Sequence, residues 1–423
     1  MRDNIIKVKK VFQTVPIYSD ICRDNDINIE RISEFKQLPF MNKQLLSKNI
    51  EKGISAEYFV KYLKGELQYV DTSGSTGDCL RIYWSTEDLK ESLLPLWIAR
   101  KKRYGISSTS KFCYFYTMAN YMDEREINGV RCQLNGNMLG FNKSNLNKEQ
   151  IKKIYIMIND FQPEWLILQP SMAMLLINFF RKIGIEKIES IRYIELTGEF
   201  LKDYERKAIS EFFGCNVANQ YGCNEVNSIA YECKEGNLHC FSSNVYVEII
   251  QDGINVPYGE IGDIYITSLK NRVMPFVRYE IGDRGKLLEG SKCKCGNCNP
   301  ILELVNARKN DLILKEDGTV LSADIFVNIF HQINRDAIFV IGFKIIQYTY
   351  NDFLVKLVLN YEEVEDIGYD ETDIEHLFLM LAENECLGYA NFEFKYCTEL
   401  FPDRKNGKLK FFECLIQGED NEC

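Results

Sequence analysis

The sequence has few histidines and no extended apolar run. With 3 histidines among 423 residues, chemistry that depends on imidazole has little to draw on. No stretch reaches the about 18–20 apolar residues of a transmembrane helix, and the first segment, MRDNIIKVKKVFQ, lacks the apolar core of a secretory signal peptide. We therefore expect a cytoplasmic protein that has no membrane partner.

Basic charge is also scarce, since the formal net charge is −10 at pH 7. A nucleic-acid-binding surface needs a basic face that neutralises phosphates, so we exclude nucleic acid as a partner. A single nucleotide needs only local donors and is compatible with this charge. In a cytoplasmic chain, the 15 cysteines are predicted to be thiols or metal ligands rather than disulfides.

The length of the chain predicts two domains, or one large and one small, and its pattern predicts an α/β fold class. Residues 1–66 read as short helices, and residues 86–104 read as a helix with Thr86 as its N-cap. Apolar runs of strand length then alternate with helical segments, which predicts a sheet with helices on both faces. From Asn244 the runs alternate apolar and polar residues between glycine turns, which predicts a more antiparallel portion. The end of the chain reads as a compact α+β piece.

The segment QYVDTSGSTGDCLRIYW places small hydroxyl residues and glycines between two strand-like runs. Consecutive backbone N–H groups in such a turn can form a concavity that binds an anion. An ordinary surface turn explains the composition equally well. A Walker A loop is excluded, because its lysine is missing.

Three later segments carry further candidate groups. In NQYGCNEVNS, Tyr221, Gly222 and Glu225 could serve adenine, a close backbone approach and Mg²⁺. In PFVRYEIGDRG, Asp283 stands where a carboxylate could accept both ribose hydroxyls. In FPDRKNGKLKFF, Lys408 could face a phosphate or a carboxylate. Taken singly, each segment also fits a plain turn with a solvated side chain.

Two cysteine-rich segments, YECKEGNLHC and KCKCGNCNP, suggest a metal site. Cys233, His239, Cys293 and Cys295 supply thiolate and imidazole ligands in the number that tetrahedral Zn²⁺ prefers. Cys298 is a reserve ligand. The alternative is a set of free thiols with the histidine packed on a strand.

Taken together, the segments resemble the adenylate-forming superfamily of acyl-CoA synthetases, adenylation domains and luciferases. The match is to its phenylacetate–CoA ligase-like branch, which includes the CapK-like proteins. DTSGSTG resembles the branch's TSGTTGKP loop, YGCNE its YGxTE, RYEIGD its RYxTGD, ARKND its GRxDD hinge and NGK its C-terminal lysine motif. QLPFMNK and ILQPSMAML also match, so the resemblance covers nearly the whole chain, and GFKIIQY favours the CapK-like side.

The resemblance implies a role for each matching position. The ATP phosphates would be held by Thr72, Ser73, Gly74, Ser75, Thr76 and Gly77. The rest of the nucleotide would contact Gly198, Glu199, Tyr221, Gly222, Asn224, Asp283 and Arg308. Glu225 would bind Mg²⁺ and act with Lys408 in catalysis, and Asn310 would be the hinge. Many members of the branch also carry cysteines and a histidine at Cys233, His239, Cys293 and Cys295, which favours a structural zinc.

The implied fold is a large N-terminal AMP-binding domain, residues 1–307, with mixed sheets, helices and a β-rich portion. A small mobile α+β domain, residues 308–423, would carry the lysine motif. The implied reaction is ATP-dependent activation of a small carboxylic acid, with an aromatic acid as first expectation, to an acyl-adenylate with release of pyrophosphate. The acyl group would pass to the thiol of coenzyme A or of a carrier protein's phosphopantetheine arm. A homodimer stays open.

The chain departs from the branch at several positions. Asp78 and Cys79 replace the lysine and proline of the loop, Asn310 replaces the hinge aspartate, and Ala307 replaces a glycine. An acidic residue beside a triphosphate costs roughly a kcal/mol or more at a surface-like dielectric. A descendant that binds a nucleotide or a partner without catalysis is therefore an alternative. Another alternative keeps adenylation but transfers the acyl group to an amine, a hydroxyl or a protein residue.

Overall fold

A computed structural model gives the arrangement of most of the chain. The described residues are 2–71, 80–116, 124–143, 148–185, 187–305, 312–317, 320–334, 339–398, 400 and 411–416. The chain divides into two compact units, residues 1–305 and residues 306–423.

The first unit contains long helices and a large number of strands. Its helices are α1 (Arg2–Thr14), α2 (Pro16–Asp24), α3 (Lys43–Lys48), α4 (Phe59–Leu63), α5 (Thr86–Tyr104), α6 (Lys148–Phe161), α7 (Pro170–Lys182) and α8 (Asp203–Phe213). Its strands are β1 (Gln68–Asp71), β2 (Arg81–Trp84), β3 (Phe112–Tyr116), β4 (Arg125–Ile127), β5 (Val130–Asn135), β6 (Met138–Asn142), β7 (Trp165–Leu168), β8 (Tyr193–Thr197), β9 (Asn216–Tyr221), β10 (Ala230–Glu232), β11 (Leu238–Cys240), β12 (Val245–Gln251), β13 (Ile254–Asn255), β14 (Gly262–Ser268), β15 (Tyr279–Leu288) and β16 (Ile301–Val305).

The start of helix α5 corrects one prediction. The N-cap is Ser85 and not Thr86, because the Ser85 hydroxyl accepts the backbone N–H of Asp88 at 3.1 Å. Both residue types are good caps, so the sequence alone did not fix the choice between neighbours.

The described residues of the first unit form a 14-stranded mixed sheet in the order β13-β12-β14-β15-β16-β11-β10-β9-β8-β7-β3-β6-β5-β4. The run β9-β8-β7-β3-β6 is parallel, and helices α6, α7 and α8 connect its strands. The strands from β10 to β16 pair antiparallel. The change from parallel to antiparallel pairing therefore matches the predicted β-rich portion, and the predicted α/β class is confirmed.

Helices cover both faces of the parallel run because side chains alternate along each strand. On β7, Leu166 and Leu168 belong to the core beneath α6, α7 and α8. On the same strand, Trp165 packs with Leu96 of α5 on the other face. A buried ion pair, Arg100 of α5 with Glu195 of β8, also lies on the α5 face.

The second unit has its own strands, helices and core. Its strands are β17 (Leu312–Leu314), β18 (Val320–Ser322), β19 (Val340–Gln347), β20 (Asp352–Leu359), β21 (Asn391–Tyr396) and β22 (Phe412–Cys414). Its helices are α9 (Asp324–Ile333), α10 (Tyr361–Asp366) and α11 (Glu371–Ala382). Four of the described strands form a sheet in the order β21-β20-β19-β22, in which β19 and β20 pair antiparallel. Strands β17 and β18 pair antiparallel as a separate two-stranded sheet. Phe326 of α9 and Phe378 of α11 stack in its core.

Among the described residues, no helix combines the length and the apolar character that crossing a membrane requires.

Candidate active site

The carboxyl ends of the parallel strands hold one group of predicted site residues. In open α/β sheets, ligands bind in the crevice at this edge. Thr197 at the end of β8 pairs with Gln220 near the end of β9, and its hydroxyl donates to the Gln220 side-chain oxygen at 2.5 Å. The Gln220 amide then donates to the Ser228 hydroxyl at 3.2 Å. These polar bonds fix the backbone from which the next loop departs.

The loop after β9 turns so tightly that its glycine is required. A Cβ on Gly222 would lie 1.9 Å from the carbonyl oxygen of Asn227. Asn227 has φ 63°, its N–H donates to the Cys223 carbonyl at 2.7 Å, and its side chain donates to Ser92 Oγ at 2.7 Å. The turn carries Glu225 into the interior, where the residue is 7% exposed.

Two tyrosines cross between the YGCNE and RYEIGD segments. The Tyr221 hydroxyl donates to Asp283 Oδ2 at 2.7 Å. In return, the Tyr279 hydroxyl of β15 donates to Glu225 Oε1 at 3.1 Å. Each segment thus supplies a phenol to the carboxylate of the other, an arrangement we call the tyrosine–carboxylate exchange. It brings together two of the four predicted segments of the site.

Burial keeps Tyr279 and the neighbouring Cys223 in their neutral, protonated form. Desolvation first, and then the Glu225 carboxylate, raise the pKa of Tyr279 well above its usual value. The same two causes raise the pKa of the Cys223 thiol. Both groups therefore stay protonated at neutral pH, and Tyr279 remains a hydrogen-bond donor.

Three other predicted residues lie at the surface of this edge. Gly198 and Glu199 follow β8 and are exposed, and Asn224 is exposed in the loop after β9. Glu199 acts electrostatically on Lys143, which follows β6. Burial lowers the pKa of Lys143, and the Glu199 carboxylate partly offsets that effect.

The remaining predicted site residues lie outside the part of the chain that the structure describes, and their roles stay predictions. They are Thr72, Ser73, Gly74, Ser75, Thr76, Gly77, Arg308, Asn310 and Lys408, together with the departures Asp78, Cys79 and Ala307.

The structure adds residues that the sequence did not single out. Tyr279 was visible inside the RYEIGD segment, but nothing in the sequence links it to Glu225. Its neighbour Arg278 is 2% exposed and forms an ion pair with the buried Glu248 at 3.2 Å. Arg278 also donates to the Leu38 carbonyl at 2.7 Å, so it holds distant parts of the core together.

The four metal-ligand candidates also meet. The potential ligand atoms of Cys233, His239, Cys293 and Cys295, the cysteine–histidine group, all lie within 4.8 Å of one another. Cys233 follows β10, and His239 belongs to the paired strand β11. Cys293 and Cys295 lie in the segment before β16. Cys298 is exposed and is not part of the group.

The geometry of the cysteine–histidine group is specific. The Sγ atoms of Cys233 and Cys293 are 3.8 Å apart, and Cys295 Sγ is 3.3 Å from His239 Nε2. His239 Nδ1 lies 2.9 Å from the Asn299 carbonyl oxygen, which fixes the tautomer whose Nε2 is an acceptor. The pKa of the Cys293 thiol is lowered to about 6, mainly because its sulfur accepts a hydrogen bond from the backbone N–H of Cys295.

Solved structures identify the fold as that of the adenylate-forming CoA ligases. A 2-hydroxyisobutyryl-CoA ligase in complex with R3-HIB-AMP superposes with a TM-score of 0.73 over 97% of this chain and 88% of that chain, at 14% identity. An o-succinylbenzoate coenzyme A synthetase from Bacillus subtilis, in complex with ATP and magnesium ion, has a TM-score of 0.51 over 82% of this chain and 68% of that chain, at 17% identity. The first unit's mixed sheet is thus a known architecture.

Sequence relatives narrow the class to one branch. The phenylacetate–coenzyme A ligase of Thermus thermophilus is 24% identical over 322 residues, 73% of this chain and 69% of the relative. That of Escherichia coli is 23% identical over 322 residues, 73% of this chain and 70% of the relative. No protein-family model matches the chain. The predicted resemblance to the phenylacetate–CoA ligase-like branch of the adenylate-forming superfamily is confirmed.

Proposed function

We propose that this chain activates a small carboxylic acid with ATP and transfers the acyl group to the thiol of coenzyme A. In the first step, an oxygen of the acid attacks the α-phosphorus of ATP, the bond to the β-phosphate breaks, and pyrophosphate leaves. In the second step, the thiol sulfur attacks the acyl carbon, the bond from that carbon to the AMP oxygen breaks, AMP leaves, and the thiol proton passes to solvent. The acid–CoA ligase relatives and the fold support both steps.

The tyrosine–carboxylate exchange is the observation that carries the proposal. It includes Tyr221, the last residue of β9, and so lies at the carboxyl edge at which α/β sheets bind ligands. The two carboxylates have different surroundings, because Asp283 is half-buried whereas Glu225 is only 7% exposed. We assign the ribose hydroxyls to Asp283, the adenine to Tyr221 and the metal to Glu225.

A bound Mg²⁺ would neutralise charge on the phosphate oxygens. Glu225 fits such an ion, because Mg²⁺ prefers carboxylate oxygens and keeps several waters. The chain's own contribution to the first step would be positioning, in which the loop at residues 72–77 would hold the phosphates. Lys408 would neutralise the charge that develops between the acid and the α-phosphate.

For the second step, we assign Asn310 as the hinge about which the second domain would rotate. Asparagine tolerates unusual backbone angles, so it can serve where the branch has aspartate. Rotation of residues 308–423 would withdraw Lys408 and open a path for the thiol.

The acid and the acceptor are proposed here by chemical class. An aromatic acid is the first expectation, by likeness to the phenylacetate–coenzyme A ligases. Coenzyme A is the first acceptor, and a carrier protein's phosphopantetheine arm presents the same thiol. A homodimer and a cytoplasmic location stay predictions.

Exchange of labelled pyrophosphate into ATP, dependent on the added acid, tests the first step. We expect exchange with at least one member of a panel of aryl, arylacetic and short aliphatic acids. Product analysis with coenzyme A, a carrier protein, amines and alcohols then identifies the acceptor. If the protein binds ATP but no acid supports pyrophosphate exchange, the alternative of a non-catalytic descendant is favoured. The substitutions Asp78 and Asn310 are the reason for considering that alternative.

We also propose that the cysteine–histidine group binds a structural zinc ion. Zinc–sulfur bonds of about 2.3 Å place two thiolates about 3.8 Å apart in a tetrahedron, and Cys233 and Cys293 have that spacing. The carbonyl at His239 Nδ1 is the partner that metal-binding histidines usually have. Four protein ligands leave no open position, so the ion would join the β10–β11 hairpin to the segment before β16 rather than take part in the reaction.

A further inference from the structure

The bond from Tyr279 to Glu225 has a consequence for metal binding. The last torsion of a glutamate is broad and roughly two-fold, so its carboxylate turns easily unless an oxygen is anchored. Tyr279 anchors Oε1 at 3.1 Å. The Glu225 carboxylate is therefore already held in one orientation before a cation binds.

Tyr279 can act in this way because its own position is fixed. Met41 forms a backbone bridge with the Tyr279 strand, in which Glu280 donates to Met41 at 3.0 Å and Met41 donates to Arg278 at 3.0 Å. The Tyr279 ring contacts Phe276 edge-on, with centroids 5.0 Å apart, and the residue is 1% exposed. A donor held in this way fixes the position of the Glu225 oxygen that it contacts.

We infer that Tyr279 is a positioning residue that holds Glu225 in its metal-binding orientation, and this rests on the proposed function of Glu225. Tyr221 aligns Asp283 from the opposite direction, at 2.7 Å. The tyrosine–carboxylate exchange would therefore orient the metal carboxylate and the ribose carboxylate through two contacts between the same two segments.

A purely structural role for the Tyr279 hydroxyl is the competing explanation, and the chain offers a matched control. The Tyr193 hydroxyl also donates to a buried carboxylate, Glu195 Oε2, at 3.0 Å. Both Tyr193 and Glu195 are 0% exposed, and the pair lies on the α5 face of the sheet. Tyr193→Phe removes the same hydroxyl from a buried tyrosine–carboxylate pair at the start of β8, in which Arg100 still pairs with the carboxylate.

The experiment compares wild type, Tyr279→Phe and Tyr193→Phe. ATP binding is measured by equilibrium dialysis over a series of Mg²⁺ concentrations, together with acid-dependent pyrophosphate exchange and thermal unfolding. Loss of a partner that orients a metal ligand costs about 10–100-fold in metal affinity or activity. We expect Tyr279→Phe to raise the Mg²⁺ concentration for half-maximal ATP binding by about ten-fold or more, whereas Tyr193→Phe lowers the melting temperature and leaves the Mg²⁺ response within about two-fold.

The outcomes separate this inference from the proposed function. An unchanged Mg²⁺ response in Tyr279→Phe, with active wild type, overturns the inference and leaves the ligase function standing. A shifted Mg²⁺ response without exchange by any acid supports the inference and counts against catalysis. Wild-type protein that binds no ATP overturns both.

A second variant keeps the test decisive if Tyr279→Phe does not fold. Glu225→Gln retains an oxygen that accepts from Tyr279 but removes the charge. We expect ATP binding by this variant to lose most of its response to Mg²⁺. A full Mg²⁺ response in Glu225→Gln would overturn the inference, because Glu225 would then not be the metal carboxylate.

Discussion

The candidate nucleotide site and the cysteine–histidine group are built in different ways. The hydrogen bonds of the nucleotide site join residues 62 and 54 positions apart, and its inner members Glu225 and Tyr279 are buried. The cysteine–histidine group joins residues about as far apart, since Cys233 and Cys293 are 60 positions apart, but Cys293 and Cys295 are only half-buried.

This difference predicts different responses to loss of a ligand. Tyr279 belongs to the main hydrophobic core of the first unit, so apolar packing holds the nucleotide site in shape without a ligand. The cysteine–histidine group gathers groups that must lose protons to bind a metal, and its binding energy contributes to folding. Changes at the first site should therefore affect activity, and changes at the second should affect stability.

The largest expected effect is that of Lys408→Ala. Removing a cation that stabilises developing charge costs about 10²–10³-fold in rate. We expect acid-dependent pyrophosphate exchange to fall by roughly that factor, with an unchanged melting temperature. A preformed acyl-adenylate should still react with coenzyme A at a rate close to that of wild type.

Lys410→Ala is the matched control for Lys408→Ala, since both lysines belong to the segment NGKLK. It should retain wild-type exchange. An equal loss in both half-reactions, or equal losses in the two variants, would contradict the assigned role of Lys408.

Cys295→Ser should have the next largest effect, on stability. Loss of a metal is among the few single changes that cost more than about 3 kcal/mol. We expect bound zinc, measured by elemental analysis of the purified protein, to fall from about one equivalent to none, with a clearly lower melting temperature. Activity should decline only in step with the folded fraction.

Cys298→Ser tests the same site with an exposed thiol outside the group. It should keep both zinc and stability. A Cys295→Ser protein that is fully folded, metal-free and active would refute the zinc proposal. Loss of zinc in Cys298→Ser would show that Cys298 is a zinc ligand.

Tyr221→Phe should have the smallest effect. Its hydroxyl donates to Asp283, and a hydrogen bond to a charged group contributes about 1.5–3 kcal/mol at most. Because Tyr221 orients the carboxylate that we assign to the ribose and does not contact the reacting phosphate, we expect only about a 3–10-fold rise in KM for ATP, with kcat near wild type. Steady-state exchange kinetics measure both constants, and a fall in kcat with unchanged KM would show that Tyr221 acts on the reaction rather than on the nucleotide.

The sequence predicted the regular elements well, because they follow from local patterns. The alternation of apolar strands and helices predicted β7, α7, β8 and α8, and the glycine-separated β runs predicted the antiparallel strands β12 and β14. The N-cap of α5 was wrong by one residue, since Ser85 and Thr86 compete for the same role. The phosphate loop and Lys408 could be recognised only as motifs, and their geometry lies outside the described residues.

The tyrosine–carboxylate exchange could not be predicted in the same way. YGCNE and RYEIGD were each recognised, but a motif does not say which hydroxyl reaches which carboxylate. Arg278 shows the same limit, because it belongs to a recognised motif yet its observed partners, Glu248 and Leu38, are in the core.

By itself, the sequence determined the class of fold, the branch of ligases that the chain resembles and the four residues of the cysteine–histidine group. These depend on side-chain periodicity, local motifs and ligand chemistry, which are all legible along the chain. Only the tertiary structure decided that Tyr279 serves Glu225 and that Tyr221 serves Asp283. Pairings over such separations depend on how the strands stack side by side, and strand order is set by the packing of the entire sheet rather than by any one segment.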